Sequence, residues 1–443
     1  MRDPLKGVEL TLSRYVLTAE LPNGDLRVLS TLWSSVVDLD HRHQQLLRGE
    51  TYASTSEEQE HLDTLKGLGI LVDKSVDEAA VAVEELKRRK RAGSVTMTYC
   101  VTSRCNFNCV YCVQEGKYGP ETEMPPEIRR RAVDFSIEML EHQGGDSLDV
   151  LFYGGEPLLN YDGMLDMMFQ LHRQSRTVGV KELSFGVVTN GSLLSPARLE
   201  VLRSLGLGHM QITVDGLPDT HNARRRTNNG SWGKVWETIL TASSQGIHTT
   251  VNVVVDSQNV GELSALLDVA DRITSARPDL KTHLVWIFGM LIPTRPAFAR
   301  CHQVLFGKEP EIFAKIMDTY LIAMKRGWRV LHPLVQAVDS RESHRSFAIA
   351  PNGKVYKCFG VIGLHEYAIG DIGQPVGEVD TAGQLFADRD AWDSDCLTCS
   401  IFPLCRGGCQ AIASLEHDGE FGHKLCERDF RIANFQRVLP GLF

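Results

Sequence analysis

The sequence predicts an α/β fold: a parallel sheet with helices packed outside it, curved as a barrel or part of one, with a small α+β module ahead of it and a loop-rich region behind. Three observations lead there. Between Thr96 and about residue 300, six β-type stretches alternate with helical ones; residues 1–92 follow a different, mixed pattern; and six of the eleven cysteines fall within residues 345–443. A chain of 443 residues exceeds the size at which one hydrophobic core usually stops growing, so two or three domains are expected.

The first unit, residues 1–92, opens on alternating stretches around Arg14–Leu17 and Leu26–Leu29 that flank a turn at Pro22-Asn23-Gly24-Asp25, the signature of a hairpin. Helical patterns follow near 41–47 and 57–68, the second stopping at Gly69 before a short strand, Ile70-Leu71-Val72. Strands and helices in this order read as a winged-helix-like module. Its basic end, Lys87-Arg88-Arg89-Lys90-Arg91, reads as a solvated linker after an acidic helix.

The second unit, 93–300, carries the repeats. Strands are expected at 95–101, 148–153, 183–189, 209–214, 249–255 and 282–288, with helices between them such as the amphipathic run from Ile128 to Leu140, which has Pro126 at its first turn. Strand–helix alternation of this kind gives a parallel sheet, with chemistry gathered at the C-terminal strand ends. Residues 301–344 read as a helical bridge. From 345 a short hairpin (Ser346–Ile349, turn Pro351-Asn352-Gly353, Val355–Cys358) opens the cysteine-rich region, where a small core calls for metal staples.

Composition narrows the function. Hydrophobic residues make up 43% and charged residues 23%, as in ordinary globular proteins, and the formal net charge of -9 offers phosphate backbones no general attraction. No nucleic-acid partner is expected. No secretory signal or membrane-spanning stretch is evident, so a cytoplasmic protein is expected, and eleven cysteines in a reducing compartment point to metal ligation rather than disulfides.

The decisive string is Cys105-Asn-Phe-Asn-Cys109-Val-Tyr-Cys112, a CxxxCxxC loop with an aromatic residue, Tyr111, before the last cysteine, directly after a strand. Three thiolates on one loop can ligate three irons of a cubane and leave the fourth open to an outside ligand. Structural zinc wants four closed ligands and would be one short here. A second string, Gly154-Gly155-Glu156-Pro157, ends the next strand. Glycines admit close backbone approach and a carboxylate accepts from an ammonium. Further strand ends carry Thr189-Asn190-Gly191 and Thr213-Val214-Asp215-Gly216, the latter followed by His221 and Arg225.

On these strings the chain resembles the radical S-adenosylmethionine (SAM) superfamily. The resemblance implies a partial (β/α)6 barrel. It also implies a 4Fe–4S cluster on Cys105, Cys109 and Cys112 that binds SAM at its open iron, with Tyr111 beside it. The Gly154, Gly155, Glu156 and Pro157 segment would hold the SAM amino group, Asn190 and Thr213 would sit near the ribose, and Arg225 near the carboxylate, with Arg224 and Arg226 competing for that role. Thr213 stands where the family commonly has serine, and Asn222 where it has aspartate. In the implied chemistry one electron from the reduced cluster breaks a C–S bond of SAM, and the resulting 5′-deoxyadenosyl radical abstracts a hydrogen from an unactivated carbon; the protein supplies position and a dry pocket.

The C-terminal cysteines, Cys396-x2-Cys399-x5-Cys405-x3-Cys409-x16-Cys426 with Cys358 upstream, allow a zinc ribbon. Their order resembles the SPASM domain, the auxiliary-cluster extension of peptide and protein maturases. That likeness implies a second auxiliary cluster on Cys396, Cys399, Cys405 and Cys426, and a first one using Cys358 and Cys409. The first departs from the family pattern: the position of a further cysteine is Pro375, counted from Gly370. Asp371, His365 or solvent would fill in, or the cluster is degenerate. Cys100 and Cys301 fall outside both patterns and read as structural, although a thiol at Cys301 near a pocket would be able to donate a hydrogen atom.

The N-terminal module, through Val76-Asp77-Glu78, resembles the peptide-recognition modules of enzymes that modify ribosomally made peptides, which capture a leader peptide as an added strand. The expected function is therefore a peptide maturase, an oxidoreductase-type enzyme of ribosomal peptide biosynthesis that forms a carbon–carbon or thioether crosslink, with a flavodoxin or ferredoxin as reductant. Alternatives are a maturase of a folded enzyme, as in sulfatase activation, or of a small metabolite, and a non-catalytic iron–sulfur or zinc regulator.

Overall fold

The computed structural model of the protein describes residues 10–47, 54–112, 114, 123–227, 229–290, 310–331, 340–414, 417, 420 and 422–442. They fall into two compact units, one within residues 1–88 and 390–443, the other within 89–331 and 338–389.

In the first unit the predicted hairpin is β2 (Val16–Glu20) against β3 (Leu26–Ser30), extended by β4 (Val36–Leu39) into a three-stranded antiparallel sheet; β1 (Leu10–Leu12) pairs instead with β5 (Leu71–Asp73). Helices α1 (His41–Leu47), α2 (Ser56–Gly67) and α3 (Glu78–Lys90) complete the module. Thr55 caps α2 reciprocally with Glu58, and Gly69 takes φ +68° to leave it, as the stop signal predicted. The basic run is not a linker but the end of α3: Lys90 is buried and donates to the carbonyl of Ala387 at 3.0 Å. The cysteine segment 396–426 belongs to this same unit, along with the C-terminal helix Arg428–Val438.

The second unit is built on a ten-stranded sheet. Six parallel strands, β6 (Val95–Thr102), β7 (Ser147–Gly154), β8 (Glu182–Thr189), β9 (Leu207–Thr213), β10 (His248–Val255) and β11 (Leu284–Met290), lie side by side in chain order. All six match the predicted stretches, the last with its start displaced by a 3-10 turn at Pro278–His283. Beyond β11 the edge carries β12 (Arg329–Val330). Beyond β6 it carries the predicted hairpin, β13 (Ser346–Ile349) parallel to β6, then β14 (Lys354–Tyr356) and β15 (Gly370–Asp371) antiparallel. Among the described residues no pairing joins the two edges, so the sheet is a partial barrel. Phe135, Phe152, Phe185 and Trp286 are fully buried in its core. No helix among the described residues is long and apolar enough to cross a membrane. Cys301 lies outside the described residues, as does part of the expected bridge, whose described portion holds the helix Pro310–Lys325.

Candidate functional site

β6 delivers the cysteine loop through a register shift between Cys100 and Thr102, a bulge that turns the chain at the sheet end. Main chain then pins the loop on two sides. Gly155 N donates to Thr102 O at 2.9 Å and Glu156 N to Arg104 O at 2.8 Å, while Asn108 N and Val110 N donate to the carbonyls of Arg225 and Arg224. A Cβ on Gly154 would lie 2.1 Å from Thr102 O, and one on Gly155 2.3 Å from Arg104 O. The close approach these glycines permit is thus to the backbone of the cysteine loop itself.

Glu156 is fully buried and works as a bracket between strand ends. It accepts from Leu158 N (3.1 Å), capping the short turn that Pro157 begins, and from Thr189 Oγ1 (2.7 Å) and Asn190 N (2.8 Å). Burial raises its carboxyl above the usual range, against the pull of these donors. Asn190 donates from Nδ2 to Asn106 Oδ1 at 2.8 Å, tying the β8 end to the cysteine loop. Thr213, half-buried at the end of β9, accepts from Asn252 Nδ2 at 3.3 Å.

Behind the loop lies a cluster of buried charges. Arg225 donates from Nη1 to the Tyr111 hydroxyl at 2.7 Å, and that hydroxyl donates in turn to Asp215 Oδ2, a short contact. Asp215 is wholly buried, which raises its carboxyl although Arg225 and Arg224 oppose the shift. Arg224 pairs with Asp256 at 2.6 Å, donates to Val254 O, and sets its guanidinium 5.1 Å above the Tyr111 ring. Arg226 is exposed and left-handed (φ 48°). Of the three competing arginines, therefore, Arg225 faces the loop cysteines, Arg224 is locked in an ion pair and Arg226 faces solvent. His221, fully buried, accepts from Asp215 N and contacts Ser231 Oγ through its other nitrogen; burial, with the Arg225 charge, holds its pKa down at about 3.

Asp256 and Asn259, after β10, were not singled out from sequence. Asn259 Nδ2 donates to Asp215 O and Val254 O, and Asn259 Oδ1 accepts from Asp256 N. Their place at the same strand-end level as the other strings was the available signal.

Two features bear on whether this group fits a cluster-bound cofactor that carries a carboxylate. The Nε of Arg225 is buried with no partner among the described residues, a spare charged donor suited to a carboxylate. Cys109 is partly enclosed, and burial pushes its thiol up to about 12 although the Arg225 charge opposes the shift; a bound metal would offset that cost. Among the described residues no three His, Cys, Asp or Glu side chains gather as around a single ion. Both features fit the group.

In the other unit, a cavity of about 120 Å³ is walled by Cys396, Cys399, Cys405 and Cys426 together with Ile401 and Phe402. The four cysteines grouped from sequence thus line one cavity. Cys409 is not among the cavity's walls, and it lies in a different unit from Cys358. Pro375 opens the helix Val376–Ala387, and the Asp371 carboxylate is engaged by Gly373 N at 2.9 Å and Lys354 at 3.7 Å. His365 sits in the turn His365–Tyr367.

Comparison with known proteins agrees with this geometry. Residues 99–270 match the model of the radical SAM superfamily. Over 91% of this chain and 90% of the other, the protein is 20% identical to the radical SAM cyclopropyl synthase TigE of Paramaledivibacter caminithermalis. It is 23% identical to the PqqA peptide cyclase of Granulibacter bethesdensis over 71% and 81% of the two chains. The crystal structure of Streptococcus suis SuiB bound to precursor peptide SuiA superposes with a TM-score of 0.51 at 13% identity, covering 91% of this chain and 96% of that one, a likeness of fold.

Proposed function

We propose, from the premise that this chain is a radical SAM enzyme with its radical SAM domain at residues 99–270, that it modifies a peptide, abstracting a hydrogen from one residue of a ribosomally made precursor and closing a carbon–carbon or thioether crosslink. The observation that carries the reading is the three-cysteine loop braced by a buried Arg225–Tyr111–Asp215 group at the C-terminal end of the sheet. The likeness to PqqA peptide cyclase over most of both chains supports a peptide as the substrate.

When bound, SAM and a reduced 4Fe–4S cluster supply the hydrogen-abstracting radical. The chain's own residues hold and orient. Cys105, Cys109 and Cys112 offer the three thiolates, and the Arg225 guanidinium offers its free Nε to a carboxylate. Glu156, Asn190 and Asn106 lock the loop against β7 and β8 so that bound groups keep one geometry. The burial of Tyr111, Asp215 and His221 keeps water from the floor of the site. Thr213, Gly154, Gly155 and Pro157 complete the strand-end rim.

In the domain roles we infer, the module at 1–92 takes the leader peptide as an added strand, β4 being an edge of its sheet among the described residues. The 345–443 region carries one or two auxiliary clusters, that of Cys396, Cys399, Cys405 and Cys426 having the complete ligand set. A flavodoxin or ferredoxin supplies electrons.

The test is anaerobic reconstitution with iron and sulfide, followed by reduction with dithionite in the presence of SAM. Release of 5′-deoxyadenosine is expected, and Cys105→Ala abolishes it; release that persists in the variant overturns the cluster assignment. Co-expression with a short precursor encoded beside this chain is expected to yield a peptide lighter by two hydrogens on mass spectrometry. An unchanged peptide mass beside active SAM cleavage counts against the peptide reading alone.

A further inference from the structure

The four-cysteine cavity and the N-terminal sheet share one compact unit, and two hydroxyls of the sheet reach the turn that carries Cys399. Tyr15 Oη donates to Leu397 O at 2.7 Å. Thr31 Oγ1 lies 2.5 Å from Ser400 O and 3.0 Å from Tyr15 O, and the nearer acceptor takes its single proton. The two carbonyls, at positions 397 and 400, flank Cys399 along the chain. Val16 is paired with Ser30, which makes Tyr15 and Thr31 the next pair outward at the open end of the β2–β3 hairpin. The hairpin end therefore grips the Cys396–Cys399 turn from both sides of one ligand.

The surroundings make this a rigid grip. Tyr15 is fully buried, its ring 6.3 Å from that of Phe402, a wall of the cavity, and Trp392 meets Phe402 edge-on at 5.4 Å. Burial pushes the Tyr15 phenol up to about 12, so it stays a donor throughout the physiological range. Arg27 on β3 donates to Pro440 O at 3.2 Å, fastening the sheet to the chain beyond the last cysteine. A metal centre whose ligands stand on short turns depends on such outer contacts to fix ligand orientation.

We propose that Tyr15 and Thr31 are positioning residues of the four-cysteine centre, so that the N-terminal module forms one wall of that centre's housing besides any peptide it binds. The proposal rests on the reading of Cys396, Cys399, Cys405 and Cys426 as cluster ligands. It gives the first strands of the chain a role in cofactor retention that peptide capture does not require.

The experiment uses the full chain carrying Cys105→Ala, Cys109→Ala, Cys112→Ala and Cys358→Ala, so that the remaining iron reports the four-cysteine centre. Into this parent are placed Tyr15→Phe, Thr31→Val, both together, and Thr31→Ser. The rate of iron loss to a chelator and the midpoint potential followed by electron paramagnetic resonance are measured. Each lost hydrogen bond is expected to speed iron loss about fivefold and to shift the potential, while Thr31→Ser, which keeps the hydroxyl, behaves as the parent. Thr31→Val preserves shape, so a folded variant remains even where Tyr15→Phe does not fold. Iron loss at the parent rate with an unmoved potential in the double variant overturns the proposal. A parent that binds no iron overturns the cluster reading, and the proposal with it.

Discussion

The two cysteine loops of this protein are housed in opposite ways. The loop at 105–112 brings three thiols to the end of a parallel sheet and is braced from behind by buried charge: the side chains of Arg224 and Asp256 are 3% and 4% exposed in their ion pair. The segment at 396–426 brings four cysteines round a small cavity, and its charged contacts run from the exposed pair Lys424–Asp393 to the more enclosed pair Arg431–Glu427, 19% and 3% exposed. Four ligands close a centre and hold themselves in place around it. Three leave a coordination position open, and the geometry the missing ligand would have imposed must come from the surrounding protein. The difference teaches where each loop is vulnerable: the first through its buried supports, the second through its cysteines and the turns that carry them.

The largest effect is expected from Arg224→Leu. It strands the Asp256 carboxylate in a dry interior, which costs about 3–5 kcal/mol when one partner of a buried pair is removed. Unfolding by denaturant should show the loss, and hydrogen exchange should show faster opening at 105–112 with 396–426 unchanged. Lys424→Ala, the matching cut beside the other loop, is expected to leave the unfolding midpoint where it was. Equal acceleration of both loops by Arg224→Leu would break the comparison. A smaller effect is expected from Gly155→Ala, whose new methyl meets Arg104 O at 2.3 Å and Ser103 O at 2.5 Å. Overpacking of this kind costs about 1–3 kcal/mol, and a displaced loop should lower 5′-deoxyadenosine release on the order of a hundredfold, with iron at the four-cysteine centre retained.

Much of this architecture was legible in the sequence because the six central repeats are long enough for strand and helix periods to separate. What was not legible follows from range and length. β1 and β4 are three and four residues long, too short to show alternation. The parallel pairing of β13 with β6 joins segments some 250 residues apart and leaves no local trace. At the site, the three cysteines and the Gly-Gly-Glu-Pro turn stand out by spacing, whereas Arg224, Arg225 and Arg226 are equivalent in a linear string. Only burial and the helix end separate them: Arg226 takes the left-handed capping position after Pro218–Arg225 and points outward. Lys90 shows the same limit, since a basic run reads as solvated until one of its members is seen covered. Asn106, an unremarked spacer between two cysteines, becomes a link to Asn190 once the loop is folded.

The smallest effect, read per pH unit, concerns His221, the buried imidazole behind the first loop; the histidines near the second, His417 and His423, stack on each other outside its core. His221 titrates at about 3 in the folded chain and at about 6.5 when unfolded. Above 6.5 neither state takes the proton, and the contribution is constant. As the pH falls below 6.5 the unfolded chain gains a proton that the folded chain refuses, so stability falls by up to about 1.4 kcal/mol per unit until the folded pKa is reached. Wild type and His221→Gln, compared by urea unfolding between pH 6.5 and 4.5, are expected to differ in slope, the variant being flatter. Parallel slopes would mean that the imidazole is not held neutral by burial, and that the charged floor beneath Cys109 is more open to water than its hydrogen bonds imply.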